Sequence, residues 1–231
     1  MADTRSDIPP AAHAGSAWRD EAPRLAPLSV AELTPELMTI VERMIQVNEA
    51  LQSREKSMLT DVVSGRLSDD EKTQRLANLP EIVRTMLRHP ELFARQTELG
   101  IQLLGRGVLA PRDRELAILR IVWLCRAPYG WGEHVHVAKS IGIASIEIER
   151  ITQGSQAPGW RRHDGAILKA AEELHAAAMI SDTTWAILAE RLDDRQLIEL
   201  PIVIGQYQTV AYYQNSLRLR LHDGNAGLTA R

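Results

Sequence analysis

From Leu116 to Leu124 every residue but Arg120 is apolar, and Pro111 stands just ahead of the run. Proline suits the first turn of a helix, and a helix apolar nearly all round has to lie inside a protein. The rest of the chain must therefore supply elements that wrap it, and the punctuation points to more helices. Pro80 to Leu87 reads as a short helix stopped near His89-Pro90. Pro90 starts another, with Leu92, Phe93, Leu99, Leu103 and Leu104 as its apolar positions and Gly105-Arg106-Gly107 as its end. The central helix runs from Pro111 to about Arg126.

Beyond it, Pro128, Gly130 and Gly132 read as a broken junction, followed by a helix through His134 and Ile141 that ends at Gly142. Ala144 to Gln153 is short, and 162–178, 182–192 and 194–218 complete the body, with Pro201 and Gly205 expected to kink the last. Aromatic residues make up only 4% of the chain, and no run alternates apolar with polar residues, so strands have little support. The fold class is all-α.

Residues 1–25 carry charges and prolines without an apolar stretch and read as a flexible arm. Residues 26–78 form a helical extension, opened at Thr34-Pro35-Glu36, whose 53–78 part is a polar arm or connector. The main helical domain spans 79–221, and 222–231 reads as a flexible tail. The absence of a long apolar span, a net charge of -3 and a single cysteine favour a cytoplasmic protein without a nucleic-acid or membrane partner.

Two residues suggest chemistry. Glu115 shares its helix face with Leu119 and Val122, so its carboxylate must find a partner or become a neutral acid. A plain ion pair with Arg112 or Arg114 would satisfy it. His134, just past the broken junction, is expected near a helix start. There the dipole favours a neutral imidazole, and free N–H groups can hold a carboxylate. Tyr129 and Trp131 flank it as a hydroxyl donor and a flat wall, or as ordinary packing. The histidines and glutamates do not have metal-site spacing, and no Gly-rich loop follows a strand.

The run Pro111-Arg-Asp-Arg-Glu115-Leu, followed by Tyr129-x-Trp131-x-x-His134-Val, resembles the helix pair of the carboxymuconolactone decarboxylase family, whose peroxidase-like branch is the alkylhydroperoxidase D (AhpD) proteins. The resemblance is clearest over 79–153. A weaker echo continues through Ile180-Ser-Asp, Asp194-Arg-Gln-Leu and Gly205-Gln-Tyr. It implies an AhpD-like helical bundle assembled as a homo-oligomer. In the peroxidase branch a glutamate and a histidine serve a C-x-x-C pair, and Glu115 and His134 stand at the matching separation. The cysteine positions fall on Ala127 and Gly130, and Cys125 has no second thiol. Dithiol peroxidase chemistry needs that resolving thiol, so it is not expected here.

The decarboxylase branch implies a lyase without cofactor or metal, acting on a small or aromatic-derived carboxylic acid or lactone through an enolate. His134 would transfer the proton, Glu115 would orient it, and Tyr129 would hold the oxyanion. Trp131 would wall the pocket, and Arg120 would anchor a carboxylate or simply pair with a neighbouring helix. An isomerase or hydrolase using the same relay, and a helical binding protein in which the pair is structural, are the alternatives.

Overall fold

A computed structural model describes residues 21–34, 37, 40, 41 and 79–231. Most of the expected arm and the polar stretch at 53–78 lie outside the described residues. Among the described residues eight α-helices have both ends defined: α1 Glu81–Met86, α2 Pro90–Gly105, α3 Pro111–Leu124, α4 Pro128–Ser140, α5 Ser145–Gln153, α6 Arg162–Ala177, α7 Asp182–Ala189 and α8 Asp194–Leu217. Among the described residues there is no strand. No helix there is long and apolar enough to cross a membrane.

The helix starts follow local chemistry. Prolines occupy the first turns of α2, α3 and α4, where the missing N–H costs nothing. Asp193 and Gln196 cap α8 reciprocally, at 2.9 and 3.0 Å. Thr34 likewise accepts the N–H of Leu37. α8 is continuous through Pro201.

As its apolar run requires, α3 is the axis of the bundle. Leu116 to Leu119, Ile121 and Val122 are fully buried, and α4, α5, α6 and α8 pack around them. The approach to α3 is held from α8. Glu199 accepts the N–H groups of Val108 and Leu109 at 2.9 and 3.0 Å, and Gln196 donates to the Val108 carbonyl. Gly107 allows this turn, since a Cβ there would collide with the Leu103 carbonyl oxygen and Glu199. A smaller apolar cluster joins Leu28 and Val41 to Leu79, Leu87 and Phe93.

The end of the chain departs from the expected flexible tail. Residues 225–231 fold back onto α4 through a short 3-10 turn at Gly227–Thr229. Asn225 is buried and donates to the Tyr129 carbonyl at 3.0 Å and to Glu133 at 2.8 Å. The Trp131 indole donates to the Ala230 carbonyl at 3.1 Å. These partners lie far apart in sequence, so a polar, glycine-containing ending read locally as loose.

A second departure follows from the same contacts. α4 begins at Pro128, and Gly130 and Gly132 lie inside it rather than breaking it. Both serve close packing. A Cβ at Gly132 would overlap the Asn225 side chain, and one at Gly130 would sit 3.1 Å from Gln214 Oε1. His134 is therefore in the second turn of α4, deeper than expected, and the helix start no longer accounts for its state.

Candidate active site

Glu115 is fully buried on α3, and both of its oxygens are engaged. Oε2 lies 2.7 Å from Nδ1 of His134 on α4, and Oε1 accepts from Arg114 Nε at 3.2 Å. Arg114 is itself tied to the Leu104 carbonyl at 2.9 Å. Burial pushes the Glu115 carboxyl up, but His134 and then Arg114 outweigh it and hold the group below the usual carboxylate range. Glu115 is thus a charged acceptor, not the neutral acid that burial alone would make it. The proton between the pair resides on Nδ1, and no described residue bonds Nε2. Nε2 is therefore the ring atom open to other chemistry.

Tyr207 on α8 completes the group. Its ring meets the imidazole edge-to-face, with centroids 4.6 Å apart and planes at 87°. Burial, then the charge of Glu115, push its hydroxyl well above the ordinary phenol range, so it stays neutral. Glu115, His134 and Tyr207 come from three helices that meet at the core. The sequence marked Tyr207 only as the end of the weak Gly205-Gln-Tyr echo, because its approach to His134 depends on how α8 crosses α4.

The remaining candidates lie elsewhere. Tyr129 shares the α4 face of Glu133, one turn on, rather than that of His134. Its ring stands 6.0 Å from that of His222, edge-to-face, beneath the returning chain end. Trp131 is fully buried against Trp123, with ring centroids 4.8 Å apart, and its polar atom is taken by Ala230. Arg120 faces away from the pair. It donates to the carbonyls of Ile151 and Thr152 at 2.9 and 3.2 Å and pairs with Glu172 at 3.0 Å. That is the ion-pair reading of Arg120, and it leaves no free guanidinium N–H aimed at His134.

Arg112, a possible partner for Glu115 in sequence, instead pairs with Glu147 at 2.6 Å and Asp164 at 2.8 Å. Next to it, buried Asp113 and His163 form another pair at 3.0 Å that the sequence did not single out. Ala127 is fully buried, and Gln214 and Val122 crowd Gly130, so the two positions that hold thiols in the peroxidase branch are packed shut. Cys125 caps α3 with its thiol pushed up to about 11 by burial, which keeps it protonated at neutral pH. Among the described residues no cluster of three or more His, Cys, Asp or Glu could hold a metal ion.

No family model and no curated protein matches the chain. Solved structures do. One is a protein of unknown function from Agrobacterium tumefaciens, proposed to be an antioxidant defence protein AhpD. It is 17% identical with a TM-score of 0.55, and the match covers 59% of this chain and 94% of that one. Another is the debrominase Bmp8 in its apo form, 15% identical with a TM-score of 0.59. That match covers 87% of this chain and 94% of its own. At such identities the likeness is one of fold. The all-helical chain has the AhpD-like architecture.

Proposed function

We propose that this protein is a decarboxylase-type lyase acting on a small or aromatic-derived carboxylic acid or lactone, with its own side chains moving the proton and no cofactor. The buried Glu115 carboxylate, bonded through both oxygens and holding Nδ1 of His134 at 2.7 Å, carries the reading. Such a carboxylate fixes the imidazole's orientation and leaves Nε2 as the ring nitrogen for proton transfer. The carboxylate of the substrate leaves as carbon dioxide, and its bonding electrons pass into the adjoining unsaturated carbonyl. Nε2, having taken a proton from water, delivers it to the carbon left behind. The net change is one proton consumed and one carbon dioxide released, with no oxidant or reductant. The homo-oligomer implied by the family resemblance has apolar surface available to it, since Leu92, Leu99, Ile198, Ile202 and Tyr212 are exposed on α2 and α8.

Turnover of a panel of lactone and aromatic-derived carboxylic acids, read by carbon dioxide release, tests this. Wild type is expected to release carbon dioxide from at least one member, and His134→Ala to lose about 10²–10⁴-fold while staying folded. Bromide release from brominated members covers the activity named for one structural neighbour. No carbon dioxide from any member, with lactone consumed instead, would replace the lyase reading with the isomerase or hydrolase that uses the same relay.

A further inference from the structure

We propose that the Tyr207 hydroxyl and His134 Nε2 form one subsite for an enolisable carbonyl compound. In it Tyr207 holds the carbonyl oxygen while Nε2 faces the carbon that gains or loses the proton. A tyrosine hydroxyl in a mostly covered site usually finds a hydrogen-bond partner in protein, water or ligand. No described residue bonds this one, and although Tyr207 is only 7% exposed its hydroxyl is not sealed in the core, so it stays open to a ligand. The side chain of His134 keeps 11% of its surface open, so the two rings lie just under the surface. The edge-to-face contact, with centroids 4.6 Å apart, sets the Tyr207 ring, a phenol that stays protonated, against the imidazole whose Nδ1 is held by Glu115.

That combination suits a substrate whose negative charge builds on oxygen while a neighbouring carbon exchanges a proton. A carboxylate or phosphate would instead call for a cation, and the nearby guanidinium, Arg114, is spent on Glu115 and Leu104. Tyr207 thus takes the oxyanion-holding part expected of Tyr129. The assignment rests on the proposed acid–base reading for its chemistry, but not for its test.

The probe is 4-nitrophenol, whose phenolate mimics an enolate oxygen and whose ionisation is read by absorbance. Wild type is expected to bind the phenolate, and Tyr207→Phe to weaken binding about tenfold to a hundredfold, as for a lost hydrogen bond to a charged group. Tyr129→Phe should bind as wild type does. No described residue bonds the hydroxyl, so Tyr207→Phe should melt at the wild-type temperature. Equal binding by wild type and Tyr207→Phe, a loss seen in Tyr129→Phe instead, or no binding by wild type at millimolar probe overturns the subsite. Tyr207-dependent binding without carbon dioxide release from any acid would sink the lyase reading alone. Carbon dioxide release that survives in Tyr207→Phe, with phenolate binding unchanged, would sink the subsite alone.

Discussion

Glu115→Gln is expected to lower kcat about 10²–10⁴-fold with little change in KM, the span typical of general acid–base catalysis. The reason lies in Arg114, which can only donate. Its Nε bonds Oε1 of Glu115, so the oxygen of a glutamine at 115 is held to that side. The amide N–H₂ then faces Nδ1 of His134, which has to become the acceptor. The ring proton moves to Nε2, and the base is lost although the geometry is kept. Unchanged kcat in this variant would show that Glu115 does not set the tautomer.

The same variant carries a pH signature. The folded Glu115 carboxyl titrates below its unfolded value. Its contribution to stability is therefore complete above the ordinary carboxylate range and fades as pH falls through the lowered folded value. Wild type should exceed Glu115→Gln in stability at neutral pH, and the gap should narrow on acidification. Denaturant melts across that range check it, and a constant gap would count against the charged form.

Arg120→Ala should cost about 3–5 kcal/mol, the usual penalty for removing one partner of a buried ion pair. Arg120 is 8% exposed and bridges α3 to the end of α5 and to Glu172 on α6. Glu172 also accepts the N–H and hydroxyl of Ser155, so the arginine organises the whole turn after α5. Removing it leaves Glu172 with only the longer ion pair to Lys169 at 3.8 Å and takes the arginine donor from two carbonyls. For a domain of this size the melting temperature should fall roughly 6–20 °C. Arg95→Ala, which removes an exposed pair with Glu98, should change stability by less than about 1 kcal/mol. A small thermal effect of Arg120→Ala together with a large rise in KM would return Arg120 to the substrate.

Much of this is legible in the sequence. Pro90 and Pro111 marked helix starts because their ring geometry acts within one residue, and Leu116 to Leu124 marked the buried axis because periodicity is local. Glu115 and His134 were legible as a pair through the family resemblance. What failed is long-range. Gly130 and Gly132 read as breakers, yet they are contact glycines whose partners, Gln214 and Asn225, come from the far end of the chain. The tail read as loose because Trp131 and Ala230 meet only after folding. Tyr129 outranked Tyr207 because it is near His134 in sequence, whereas the approach of α8 decides which ring touches the imidazole.

The most direct test of the central claim is the protonation of the His134 ring, read by nitrogen-15 NMR at mildly alkaline pH. With Glu115 charged and bonded to Nδ1, wild type is predicted to carry its proton on Nδ1 with Nε2 bare, and Glu115→Gln to show the reverse. A wild-type proton on Nε2 would contradict the account, since the open nitrogen could then no longer serve as the base.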